Sequence, residues 1–260
     1  MSGVGTVVEI GDLSKRFISH DGGVTLALDR VSLQVQEGQF VSVVGPSGCG
    51  KSTLLAILAG VMDRTFGTVK LRGAEVVGPR RDVGVMFQEA LLLPYRTVLQ
   101  NILLPAVIHR LPQAASRERA QDLLRLVQLE GFGDRYPSEL SGGMQQRAAI
   151  ARGLLHDPAV LLMDEPFGAL DAMTREQMNL DLLDIWSAAR KTVLLITHSI
   201  AEAVFLSDRV IVMSPRPGRI VDELEIALPR PRGLEMMATA EFGAYAERIR
   251  ARLGLRGRAE

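Results

Sequence analysis

Apolar positions along the chain change their period several times, and each change marks an element. Alternation and β-branched content over residues 7–13, 31–35, 39–44 and 67–71 predict strands in the first third. Helix-forming residues follow at 52–59 and stop at Gly60. From Thr97 to His156 the spacing becomes helical, over 98–109, 116–129 and 143–155, punctuated by Pro112, Pro137 and Pro158. Short apolar strand runs return at 160–163, 192–197 and 209–213, separated by helices expected over 173–189 and 200–206. Such β/α alternation predicts an α/β fold whose sheet is mostly parallel, with helices on its faces. The tail from Pro229 mixes arginine and glutamate, and it reads as a solvated extension with an amphipathic helix over 241–253.

Composition narrows the classes. At 260 residues the chain buries a sizeable core. Its 30 Lys and Arg balance its 30 Asp and Glu, so no overall field draws it to nucleic acid, which demands clustered cations. No apolar run approaches the ~20 residues of a membrane span. The start at Met1 lacks a basic residue followed by an apolar stretch, so no secretory signal is expected and the chain is expected in the cytoplasm. Cys49 is the single cysteine, which excludes an intrachain disulfide and a thiolate metal cluster.

The chemistry concentrates at three places. The run Gly45-Pro46-Ser47-Gly48-Cys49-Gly50-Lys51-Ser52-Thr53 lies between a predicted strand and a predicted helix, the order a phosphate-binding loop requires. Glycines at 45, 48 and 50 let backbone N–H groups turn inward around a phosphate chain, aided by the positive end of the following helix. Lys51 would reach the β and γ phosphates as a point charge, and Ser52 would ligate Mg²⁺. Cys49, at that same positive helix end, is expected to favour thiolate and to be shielded from alkylation by bound nucleotide.

Asp164 and Glu165 end the apolar strand at 160–163. Neighbouring strand side chains point to opposite faces, so the two carboxylates are expected to have different tasks: Asp164 as the partner of Mg²⁺, Glu165 facing the water that attacks the γ phosphate. Ser141 is a plausible N-cap, and Gly142 and Gly143 leave its helix start open to an anion. One phosphate cradle is already present at Lys51, so Ser141 and Gly143 are assigned to a nucleotide held by another copy of the chain.

Leu140-Ser-Gly-Gly-Met-Gln-Gln-Arg147, taken with the glycine loop and Leu161-Leu-Met-Asp-Glu-Pro166, resembles the nucleotide-binding subunits of ATP-binding cassette transporters over roughly residues 7–220. The resemblance implies a RecA-like P-loop NTPase core with a mostly parallel sheet, an antiparallel β subdomain, and a helical subdomain at about 89–157 carrying the signature. The ATPase domain would span 1–228 and the extension 229–260. By the same resemblance Phe17 stacks on adenine, and Gln88 contacts Mg²⁺ and senses a transmembrane partner. Asp171, in Ala169-Leu-Asp171, belongs to a loop crossing a dimer interface, and His198 contacts the γ phosphate. His20, His109 and His156 are read as structural. The implied cofactors are ATP and Mg²⁺. The implied partners are integral membrane permease subunits, a second ATP-binding subunit placed head to tail, and a periplasmic or lipid-anchored substrate-binding protein, at the cytoplasmic face of the membrane.

Asp208-Arg-Val-Ile-Val-Met-Ser-Pro-Arg-Pro-Gly-Arg219, Leu228-Pro-Arg-Pro-Arg232 and the segment from Gln88 to Val98 are similar to the nitrate, sulfonate and taurine group of importers. Ala90 and Tyr95 depart from that group, which usually has proline and tryptophan there. The expected activity is ATP hydrolysis that drives uptake of a small anion. Exporter or lipid-transport ATPases are an alternative class, and permease-free cassette ATPases of DNA repair or translation are another.

Overall fold

The computed structural model describes residues 5–19 and 21–254, so His20 and the extreme ends of the chain lie outside the described residues. The chain opens with β1 (Thr6–Ile18), β2 (Val24–Gln36), β3 (Phe40–Val44), α1 (Lys51–Leu58), β4 (Phe66–Leu71) and β5 (Ala74–Glu75). A middle segment holds β6 (Val83–Met86), α2 (Val98–Ile102), α3 (Leu104–His109), α4 (Gln113–Leu126), α5 (Gly142–Leu154), β7 (Val160–Asp164) and α6 (Ala172–Ala189). Last come β8 (Thr192–Thr197), α7 (Ile200–Leu206), β9 (Arg209–Met213), β10 (Ile220–Glu225) and α8 (Ala240–Arg252).

These elements form two compact units, one from residues up to 80 and from 192 onward, the other Arg81–Lys191. The first contains an antiparallel sheet of order β2-β1-β4-β5, and β3 lying between parallel β8 and β9 with β10 antiparallel on the far side of β9. All five residues of β3 are buried, as an apolar run enclosed on both faces must be. Its one polar side chain, Ser42, shares a hydrogen bond with the Ser207 hydroxyl. In the second unit β6 and β7 pair in parallel, and α5 packs on β6 at Gly84, where a Cβ would stand 2.6 Å from the Gly153 carbonyl oxygen. That close approach admits only glycine.

Strong local periods were placed well, and long-range pairing moved the rest. β8, β9 and α7 have the expected bounds. β1 and β2 extend far beyond the expected 7–13 and 31–35 because each satisfies the other's backbone, as in the pairs Phe17 with Thr25 and Ile18 with Val24. The helix expected over 98–109 is two helices. Pro105 cannot donate to the carbonyl four residues back, and it occupies the first turn of a new helix instead. Strand β10 was missed because Val-Asp-Glu-Leu-Glu reads as charged; it is an edge strand whose Leu224 alone is buried. The middle unit holds β6, β7 and α6 together with α2 to α5.

The tail is not a solvated extension. Phe242, Ala246 and Ile249, spaced i, i+4, i+7 on α8, are buried, and α8 packs on α7. Arg248 and Arg252 both hold the Asp222 carboxylate, at 3.1 and 2.9 Å. Arg230 donates to Asp208 at 2.8 Å, while Asp208 accepts from the Phe40 amide at 2.8 Å. Arg232 is only 5% exposed, and its guanidinium donates to the carbonyls of Val204, Phe205, Ser207, Ile226 and Leu228. Burial, then repulsion from Arg230, pushes its pKa down to about 10, so it stays charged at neutral pH. Arg232→Ala leaves those carbonyls without their donor and is expected to lower the unfolding free energy by about 3 kcal/mol, read as a shifted urea midpoint. A loss below about 1 kcal/mol would show that the carbonyls find other partners.

Candidate nucleotide site

In the first unit the site begins at a sheet edge. Val44 pairs with Thr197 on β8 and with Val212 on β9, all parallel, so the glycine loop, His198 and the loop after Met213 leave the same carboxyl edge. Ligands of open α/β sheets bind at such an edge. Gly48 and Gly50 have φ of +73° and +109°, which a side chain would strain, and a Cβ on Gly50 would also meet the Ala27 carbonyl oxygen at 2.8 Å. Gly50 is the N-cap of α1 and makes no side-chain cap hydrogen bond, so no capping oxygen competes with an anion at this helix start. Lys51 is 6% exposed, with its ammonium donating to the carbonyls of Gly45 at 2.8 Å and Pro46 at 3.1 Å. Its charge therefore lies across the loop. Pro46 and Thr53 are half-buried, while Ser47 and Ser52 are exposed on this loop and helix start.

Cys49 corrects an expectation. Its side chain is buried, close enough to Gly45 that a Cβ there would stand 2.9 Å from Sγ. Burial pushes the thiol pKa up, outweighing the opposing pull of Lys51 and of backbone hydrogen bonds. The helix terminus does not make it a thiolate. Only its backbone remains available to line a phosphate.

His198 is exposed just past β8, and the turn that carries it is tied from below. Thr197 Oγ1 donates to the buried Glu202 carboxylate at 2.6 Å and accepts from the Ser199 amide at 2.9 Å, while Ser199 Oγ accepts from the Glu202 amide at 3.3 Å and caps α7. Phe17, on β1, keeps 39% of its surface exposed, with the Lys15 ammonium 5.2 Å from its ring centroid. It presents an open face suited to stacking.

In the second unit Met86 pairs with Met163, which sets the loop carrying Gln88 beside the end of β7 carrying Asp164 and Glu165. Glu165 has φ of +46°, outside the strand, so its separation from Asp164 comes from a left-handed turn and not from pleat alternation. Such a conformation costs a non-glycine residue about 1 kcal/mol or more and concentrates at functional sites. The Glu165 carbonyl accepts from the Gly168 amide at 3.0 Å, and a Cβ on Gly168 would stand 3.1 Å from the Gln88 side-chain nitrogen. Gln88 and the Glu165 turn therefore converge on Gly168. Two residues that the sequence reading passed over hold this arrangement. Gln146 donates to the Gln88 carbonyl at 2.8 Å, and Arg152 donates to those of Ala90 and Leu91 at 2.7 Å each. Gln146 lies within the signature and Arg152 just beyond it, both on α5, and neither carries a signal of its own in the sequence.

Ser141 caps α5 by accepting from the Met144 amide at 3.4 Å, a long bond. A Cβ on Gly142 would press on Leu170 at 3.2 Å, and one on Gly143 on Thr174 at 3.2 Å, so both glycines admit the following loop. Asp171 accepts from the amide and hydroxyl of Thr174, at 3.0 and 2.6 Å, and so caps α6. The Thr174 side chain, then its amide, hold the Asp171 carboxyl below the usual range. Its carboxylate is thus a loop-shaping group. Ser141, Gly142, Gly143 and Asp171 are brought together. His109 and His156 form a tilted ring pair, 5.3 Å between centroids, with His156 against the Val83 carbonyl and its pKa lowered chiefly by burial, as structural histidines should be.

The raised Cys49 pKa has a measurable consequence. Iodoacetamide at pH 8 is expected to label the native chain at least about tenfold more slowly than the urea-unfolded chain, because both access and thiolate fraction are reduced. Equal rates would contradict the burial of Sγ.

Known proteins carry the same architecture. The ABC transporter family model matches residues 28–168, more than half of the chain. An ABC transporter ATP-binding protein of Methanocaldococcus jannaschii is 48% identical over 242 residues, 93% of this chain and 89% of that protein. A taurine import ATP-binding protein of Rhizobium johnstonii is 44% identical over 250 residues, 94% and 95% of the two chains. An aliphatic sulfonates import ATP-binding protein of Bacillus cereus is 44% identical over 225 residues, 86% and 88%. Among solved structures, a dimeric ATP-binding cassette in a post-hydrolysis state with ADP and phosphate superposes with a TM-score of 0.72 at 33% identity, covering 87% of this chain and 99% of that one. With a P-loop NTPase fold and these relatives, the chain belongs to the ATP-binding proteins of the ABC transporter family and resembles its sulfonate and taurine import group.

Proposed function

We propose that the chain hydrolyses ATP to drive uptake of a small anion of the sulfonate, taurine or nitrate type through separate permease subunits. The observation that carries the reading is the Glu165 turn: a carboxylate held in a left-handed conformation at the end of β7, beside Gln88. In this reading the Gly45–Thr53 loop receives the phosphates, Lys51 neutralises the β and γ groups, and Phe17 stacks on adenine. Glu165 orients a water and accepts its proton as the water oxygen bonds to the γ phosphorus and the bond to the β–γ bridging oxygen breaks. His198 contacts the γ phosphate.

Ser52, Asp164 and Gln88 offer oxygen donors only, the hard set that suits Mg²⁺. Bound there, Mg²⁺ would neutralise charge developing on the phosphates.

Two copies would close head to tail, each nucleotide lying between the Lys51 cradle of one and the Ser141–Gly143 helix start of the other. Asp171 shapes the loop that crosses between them. No helix among the described residues is long and apolar enough to cross a membrane, and in this reading separate permease subunits provide the path. The exposed apolar side chains of Leu91, Tyr95, Val107 and Ile108 follow Gln88 and suit that docking. The chain would then work at the cytoplasmic face of a membrane, with an external substrate-binding protein delivering the anion.

Glu165→Gln is expected to bind ATP, accumulate dimers on size-exclusion chromatography with ATP, and lose about 10²–10⁴-fold in turnover. Lys51→Ala is expected to lose nucleotide binding. Equal ATPase rates for wild type and Glu165→Gln would remove Glu165 from the base role. Mass spectrometry of partners retained by Glu165→Gln in solubilised membranes should find a multi-span permease; soluble DNA or ribosomal partners alone would overturn the transport reading.

A further inference from the structure

The Ser214–Arg219 turn between β9 and β10 marks lineage in the sequence, and in the fold it lies against the glycine loop. The Gly218 amide donates to the Ala27 carbonyl at 2.9 Å, and its own carbonyl accepts from the Asp29 amide at 3.0 Å. Arg219 pairs with Asp29. Ser214 Oγ donates to the Pro217 carbonyl at 2.9 Å and accepts from the Arg219 amide at 3.0 Å, closing the turn internally. A Cβ on Gly218 would stand 2.1 Å from the Cys49 carbonyl oxygen, so the turn and the loop touch backbone to backbone. From this seat Arg216 donates through Nε to the Gly48 carbonyl at 3.1 Å, and its Nη2 lies 3.5 Å from where a Cβ on Gly48 would be.

The peptide between Gly48 and Cys49 is gripped at both ends. Its carbonyl accepts from Arg216, while its N–H donates to the Pro46 carbonyl at 3.3 Å. A trans peptide points these two groups in opposite directions, so two bonds fix the plane. Gly48 has φ of +73°, and the amides that follow, at Gly50 and Lys51, take their direction from that plane. Arg216 itself is exposed, and the turn is held by Ser214 and Gly218 without it. We propose that Arg216 is a positioning residue of the phosphate cradle, holding the Gly48 carbonyl outward so that the loop amides are preset for the phosphates of ATP and ADP alike. This rests on the reading that the loop binds nucleotide.

A preset loop binds ground state and transition state equally, so its loss appears in KM more than in kcat. Fluorescence titration with labelled ATP and ADP would compare wild type, Arg216→Ala, Arg216→Lys and Lys51→Ala, with urea unfolding of each. Arg216→Ala is expected to weaken both nucleotides by a similar factor of about five to ten, as loss of one solvent-exposed hydrogen bond does, with an unchanged urea midpoint. Arg216→Lys, which can donate to the same carbonyl, should recover most of that loss. Wild-type affinity in Arg216→Ala, or a loss that tracks a lowered urea midpoint and is not recovered by lysine, would overturn the proposal. A folded wild type that binds neither nucleotide would instead bring down the nucleotide reading itself.

Discussion

Burial of β3 between two parallel partners is the constraint on which the first unit depends. Phe40–Val44 is short, and it is held by ladders to β8 and β9 on both sides and by the Asp208 carboxylate at its first amide. A strand paired along both edges is fixed in register, since a slip would break both ladders at once. The loop after Val44 therefore starts from a fixed point and direction. His198 and the Ser214 turn start from the ends of the two flanking strands, so one register sets the place of all three.

Helix ends then divide the electrostatic work. α1 starts at a glycine with no capping side chain, and a buried ammonium lies across the loop before it. α6 and α7 start at Asp171 and Ser199, whose side chains already accept from the first turn. The helix dipole is similar in each case, but only where the cap is missing does no side-chain oxygen compete with an outside anion. α5 is intermediate, with a long bond from Ser141 and two glycines that admit the Leu170 loop.

In the second unit α5 has two tasks. Its first turn carries Ser141, Gly142 and Gly143, and further along Gln146 and Arg152 hold the carbonyls of the segment from Gln88 to Leu91. Burial lowers the pKa of Arg152, whose two bonds compensate its desolvation in part. One helix thus carries both the signature and the donors that hold the segment bearing Gln88.

The sequence by itself determined the elements and groups whose chemistry is local. The order of strand, glycine loop and helix is written in adjacent residues, as are the apolar runs of β8 and β9, the bounds of α7, and the cap at Ser141. Tertiary structure decided whatever depends on distant partners. It buried Cys49 Sγ, where desolvation outweighs the Lys51 charge and the backbone hydrogen bonds, turned Glu165 out of its strand, and drew Arg232 beneath α7 so that the tail is part of the fold. It also broke one predicted helix at Pro105, set Gln146 behind Gln88 and laid Arg216 on Gly48. Each of these joins residues that are unremarkable in their own sequence context, because a hydrogen bond or a buried surface acts through space and leaves no period along the chain.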